Sequence, residues 1–299
     1  NILILLFLIL PGFSLHREER PQVNILTDEL MDILKSECFS ASQVGFQLFD
    51  LKDANVLYSY NESMPFTPAS TMKVLITAAA YKMLGPDYQF QTTLQYTGHI
   101  DAQGILHGDL IVLGAGDPTF GSSRMPGAMP LTDTYRHFIE ALRLNNIQKI
   151  DGRVLVDISQ FGTNATPSIW PESDFGKSYA SGAFGLNVAE NIFTLKLTKS
   201  RKTQRRPTIE GSIPVIPQTH WINRTQTVGK KKSQGLSVTT TALDPNIEIT
   251  GQLRSGKGNA AVRGANPNPP LTYAYGLFNY LKNNGINTNG YSSILKNED

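Results

Sequence analysis

"TPASTMKVLITAAAYKMLGP", residues 67–86, decides how the rest of the chain is read. Ser70 and Lys73 stand three positions apart, a spacing that puts both side chains on one face of a helix. Thr67 can cap that helix, Pro68 suits its first position because its missing N–H costs nothing there, and Gly85-Pro86 ends it. The run between them is apolar nearly all round, which predicts a helix buried in the middle of a domain. Ser70 then lies in the first turn, beside free backbone N–H groups and the positive end of the helix. That setting suits acyl transfer. The Ser70 N–H can help hold an oxyanion, and a Lys73 desolvated by Met72, Val74 and Leu75 can take the Ser70 proton.

The spacing alone is weak, because Ser293-Ile-Leu-Lys296 repeats it in a polar tail with no predicted helix. Context separates the two. Upstream of Ser70, residues 43–51 and 55–61 read as two strands joined by "KDA", preceded by a helical stripe at Ile25, Leu26, Leu30, Ile33 and Leu34. After Pro86 the texture turns strand-rich, with a hairpin around Asp101–Gly104, an amphipathic helix over 132–146, and strands at "GRVLVD" and "NIFTLKL". A last helix runs over 270–285.

Composition narrows the function classes. A length of 299 residues is enough for two domains, and a net charge of +2 gives no global signal for nucleic acid. The single cysteine, Cys38, excludes an internal disulfide and a Cys-based zinc site. The apolar run 2–10, followed by Pro11-Gly12 and polar residues, fits the core of a secretory signal and is too short to span a bilayer. Two basic stretches, 196–207 and 229–232, read as solvated loop faces. In "LGAGDPTFG" the pattern for a nucleotide loop fails, since Asp117-Pro118 puts an acid where a phosphate would lie. No Gly-x-Ser-x-Gly supports a Ser-His-Asp hydrolase.

"FTPASTMKVLITAAAYKMLGPDYQFQTTL" and "GDLIVLGAGDPTF", followed by "DGRVLVDISQF", "WPESDFGKSYASGAFGLNVAENIFTLKL" and "TYAYGLFNYLKNNGI", resemble in order the class C low-molecular-mass penicillin-binding proteins. These are D-alanyl-D-alanine carboxypeptidase/endopeptidases of the penicillin-binding protein 4 type. The resemblance implies an α+β fold: a serine β-lactamase/transpeptidase-like catalytic domain interrupted by a large strand-rich insertion. The corresponding boundaries are a signal peptide at 1–22, catalytic segments at 24–85 and 266–299, and the insertion at 86–265. It implies a periplasmic serine hydrolase acting on peptidoglycan stem peptides or their cross-links, acylated by β-lactams at Ser70, with Lys73 as base. It calls for no cofactor, metal or nucleic acid, and for membrane contact only during export. Asp174 matches an acid that helps bind the amino end of the peptide's diamino acid; a turn aspartate is the other reading.

The family's Ser-x-Asn and Lys-Thr-Gly boxes are not in their places. Ser59-Tyr60-Asn61 precedes the nucleophile, and Lys202-Thr203-Gln204 lacks the glycine. The expectation is therefore a fragment, truncated at the C-terminus and inactive by itself. A non-catalytic cell-envelope binding module and a serine β-lactamase relative stay open as alternatives.

Overall fold

The structure, a computed structural model, describes residues 20–39, 41–159, 161, 164–229 and 234–294, with side chains from 28 to 293. The apolar run 2–10, the cluster Lys230–Lys232 and Lys296 lie outside the described residues. The chain divides into two compact units, at Tyr88 and Gln89.

The first unit holds α1 (Arg20–Lys35), β1 (Phe46–Asp50), β2 (Asn55–Tyr60) and α2 (Met72–Leu84). The hairpin pairs antiparallel, with an irregularity between Leu48 and Phe49. Asp50 closes its turn by accepting the Lys52 N–H at 2.8 Å, the way short acidic side chains stabilise turns. Tyr58 reaches back to the Met31 sulfur at 3.1 Å. No described side chain of this unit is buried. The helix expected to lie buried, α2, is instead exposed along its whole length. The reason is architectural: two helices and a two-stranded hairpin offer too few faces to enclose a helix that is apolar all round.

The second unit opens with β3 (Thr93–Tyr96), β4 (His99–Ile100), β5 (Ile105–His107), β6 (Leu110–Leu113), α3 (Leu131–Leu144), β7 (Lys149–Ile150) and β8 (Arg153–Asp157). It continues through β9 (Ile192–Thr198), β10 (Thr208–Ile213), β11 (His220–Asn223), β12 (Gln226–Val228), β13 (Gly235–Thr239), β14 (Asn246–Arg254) and β15 (Asn259–Ala265). It closes with α4 (Pro269–Asn283) and β16 (Gly290–Ile294). Mixed helices and several sheets make the class α+β.

Two cores organise this unit. In the first, the sheet β16-β8-β6-β3 presents Leu110, Val112, Val154 and Val156 to Tyr135, Phe138 and Ile139 of α3 and to Tyr273, Leu277 and Leu281 of α4. The helices pack closely because position 276 is glycine; a Cβ there would meet the Tyr135 hydroxyl at 2.1 Å. In the second, β10-β9-β15 faces the sheet of β11, β12, β13 and β14. Alternate residues Phe193, Leu195 and Leu197 of β9 are buried against Val238, Ile247 and Ile249, the period expected of a half-buried strand.

Residues 266–294 close the second unit. Helix α4 is capped at Asn268, whose side chain accepts the Leu271 N–H, and its apolar face completes the first core of the second unit. Helical periodicity says that one face is buried, but not against which sheet. Ser293, placed in a polar tail by sequence, sits in β16 beside Val156 of β8.

Candidate active site

Ser70 occupies the middle of a single 3₁₀ turn, Ala69–Thr71, that leads into α2. Thr67 does not cap the helix: no side-chain cap is made, and the Thr71 hydroxyl bonds the Pro68 carbonyl instead. Ala69 has φ of +44°, a left-handed conformation that costs a non-glycine residue about 1–3 kcal/mol and is concentrated at functional sites. Immediately after it, the Lys73 ammonium Nζ donates to Ser70 Oγ at 3.2 Å. That separation permits direct proton exchange between the two groups. The i, i+3 relation inferred from sequence is thus realised across the junction of the 3₁₀ turn and the α-helix. The apolar surround is not: Met72, Val74 and Leu75 are exposed.

Asp174 lies in the second unit, at the end of a 3₁₀ turn over Glu172–Asp174. Backbone groups close this turn, with the Asp174 N–H on the Pro171 carbonyl at 2.9 Å and the Lys177 N–H on the Asp174 carbonyl at 3.0 Å. The carboxylate is left to accept the Tyr179 hydroxyl at 2.8 Å. That bond is the main cause holding the Tyr179 hydroxyl above its usual pKa, with some burial and the Asp174 charge acting in the same direction. Tyr179 was not singled out by sequence; its five-residue spacing from Asp174 carries no periodic signal.

The Gly-Asp-Pro segment is a stitched turn. Gly116 N–H donates to the Gly185 carbonyl at 2.6 Å, and Asn187 Nδ2 reaches the carbonyls of Gly116 and Asp117 at 3.1 and 3.2 Å. Asn187 is itself held by Asn191 at 2.7 Å. Gly114 meets Gly185 so closely that a Cβ would lie 2.4 Å from its carbonyl oxygen. Asp117 Oδ1 accepts both the N–H and the hydroxyl of Thr119, at 2.8 and 2.7 Å. A cavity of about 290 Å³ opens beside this turn, lined in part by Phe90, Thr92, Asp117, Phe120 and His137.

The two misplaced boxes have structural work of their own. Ser59 accepts from the Gln47 amide across the hairpin at 3.3 Å, Asn61 donates to the Val44 carbonyl at 3.0 Å, and Lys202 lies in the loop between β9 and β10. Among the described residues, no group of three or more His, Cys, Asp and Glu side chains is placed to hold a metal ion, and no helix is long and apolar enough to cross a membrane.

The sequence profile of the D-Ala-D-Ala carboxypeptidase 3 (S13) family matches residues 26–297. The D-alanyl-D-alanine carboxypeptidase DacB of Haemophilus influenzae is 28% identical over 195 residues, covering 65% of this chain and 37% of the relative. A D-alanyl-D-alanine carboxypeptidase of an Actinomadura species is 23% identical over 164 residues, covering 55% and 28%. Among solved structures, penicillin-binding protein 4 (DacB) of H. influenzae superposes with a TM-score of 0.67 at 25% identity, covering 85% of this chain and 54% of that one. A second structure of that protein, complexed with a β-lactam, gives a TM-score of 0.64 at 23% identity, covering 90% and 55%. The chain thus spans about half the length of the solved relatives and less of the curated ones.

Proposed function

The chain belongs to the D-Ala-D-Ala carboxypeptidase 3 (S13) family, and from that membership we propose that it carries the nucleophile of a serine D-Ala-D-Ala peptidase acting on peptidoglycan stem peptides. The observation that carries the reading is the 3.2 Å bond between Lys73 Nζ and Ser70 Oγ at the start of α2. In this reading Ser70 Oγ attacks the carbonyl carbon of the penultimate D-Ala, and Lys73 Nζ takes the hydroxyl proton and returns it to the departing amine. The terminal D-Ala leaves, and water then hydrolyses the ester on Ser70. A β-lactam acylates the same oxygen. Asp174, with its carboxylate oriented by Tyr179, receives the amino end of the diamino acid. The reaction takes place in the periplasm, and the region around α2 belongs to a transpeptidase-like domain into which the strand-rich part is inserted.

The chain holds neither box in its family position, and its Ser70 and Lys73 are both exposed. A labelled penicillin tests the reading on two proteins, this chain and one extended through a Ser-x-Asn and a Lys-Thr-Gly box. The extended protein becomes labelled, Ser70→Ala abolishes the label, and Lys73→Ala slows acylation by about a hundredfold or more. Label persisting on the Ser70→Ala protein removes Ser70 from the mechanism.

A further inference from the structure

Charge is distributed very unevenly along this nearly neutral chain. Counting by sequence, residues 192–265 contain thirteen Lys and Arg against three Asp and Glu, which leaves fourteen against twenty-two for all other residues. The basic segment coincides with the strands β9–β15 that enclose the second core.

Folding concentrates this charge further. The loop between β9 and β10 carries Lys199, Arg201, Lys202, Arg205 and Arg206, and the end of β14 with its following loop adds Arg254 and Lys257. Backbone bonds stitch the two loops and β12 into one platform. Lys199 N–H donates to the Gly258 carbonyl and Gly256 N–H to the Ser200 carbonyl, both at 3.0 Å. Gln204 N–H donates to Thr227 at 2.9 Å, Thr227 N–H to Arg205 at 3.2 Å, and Ser255 N–H to Val228 at 2.9 Å. Lys196 and Arg263 extend the charge along the exposed face of the adjoining strand pair, as diagonal neighbours in the β9–β15 register.

None of the seven loop cations has an ion-pair partner among the described residues. The acids of the segment are occupied or placed elsewhere: Glu248 pairs with Arg224 at 2.9 Å, Asp244 bonds Asn246, and Glu210 lies within β10. Like charges held together without partners repel one another, so such a platform gains most from an opposing anionic surface.

We propose that this platform is a docking surface for an anionic phospholipid bilayer. Anionic leaflets attract clustered Lys and Arg through a potential that fades within a Debye length, giving adhesion that is reversible and salt-sensitive. Nucleic acid fits less well. The segment contains no helix among its described residues, and of its rings Phe193 is fully buried, Trp221 packs edge-on against it at 5.5 Å, and His220 alone is exposed. One exposed imidazole is a sparse platform for stacking successive bases.

Cosedimentation of this chain with vesicles of phosphatidylcholine, with or without phosphatidylglycerol, tests the inference independently of any catalytic step. Binding is expected only to the anionic vesicles, and it weakens as salt is raised to about 0.15 M. Arg205→Gln, Arg206→Gln and Lys257→Gln together lower the affinity about a hundredfold, at about fivefold per cation. A control with Arg143→Gln, Lys149→Gln and Lys282→Gln, three exposed cations outside the segment, binds as the parent does. Circular dichroism confirms that both variants are folded. Equal binding to neutral vesicles, equal losses in the two variants, or binding to duplex DNA without binding to anionic vesicles each overturns the proposal.

Discussion

The first compact unit ends at Tyr88 without a single buried side chain among its described residues, whereas the second closes two cores around fully buried Tyr273, Leu277, Phe193 and Ile247. Both are built from apolar sequence. Leu75, Ile76 and Met83 of α2 are as hydrophobic as Leu277 and Leu281 of α4, yet the former are exposed and the latter are at 0% exposure. The difference lies in the layers available. The second unit sets two helices on a four-stranded sheet, while the first has a single hairpin. The Ser70–Lys73 pair thus sits on the less consolidated part of the chain, in keeping with the lower local stability common at functional elements.

The widest separation between the units should appear in truncation of apolar side chains. Leu277→Ala is expected to cost about 2–5 kcal/mol in urea unfolding, and Leu75→Ala no more than about 0.5 kcal/mol. Similar losses at both positions would break the contrast. A second, smaller effect comes from alkali. Burial holds the hydroxyls of Tyr135 and Tyr273 well above their ordinary pKa, and Tyr273 also donates to Thr134 at 3.0 Å. Each is neutral when folded and ionises more readily when unfolded. Their contribution is therefore complete below about pH 10 and declines as pH rises from there toward the folded values. Unfolding of the second unit, followed by near-ultraviolet circular dichroism, should begin above that pH, and Tyr135→Phe should shift its onset upward. An unchanged onset would detach alkaline sensitivity from this core. The smallest effect concerns Asp174, where an exposed hydrogen bond is the cause. Asp174→Asn should move the Tyr179 hydroxyl back toward its ordinary pKa without altering the unfolding curve, as read by tyrosinate absorbance.

Local chemistry was legible where neighbours in sequence are also neighbours in space. The Ser70–Lys73 pair needed only the geometry of one helical turn, and the Asp101–Gly104 turn is closed as its residues suggest, by the Gly104 N–H on the Asp101 carbonyl at 3.1 Å. Helix α4 was visible as a last helix over 270–285, but the sheet it packs on was not, because an apolar face specifies burial without naming a partner. The burial expected of α2 failed for the same reason in reverse. The Gly-Asp-Pro turn depends on Asn187, about seventy residues away, a pairing that no local pattern encodes.

By itself the sequence determined the shared helix face of Ser70 and Lys73 and the basic excess between 192 and 265, since composition and short-range backbone geometry are enough for these; the α+β class and the family came through the resemblance of its motifs, in order, to known proteins. Only the tertiary structure decided which apolar helix is buried, that Tyr179 engages Asp174, and that Arg254 and Lys257 join the loop from Lys199 to Arg206. Those outcomes depend on contacts between segments far apart in the chain, and such contacts are fixed by how sheets and helices stack.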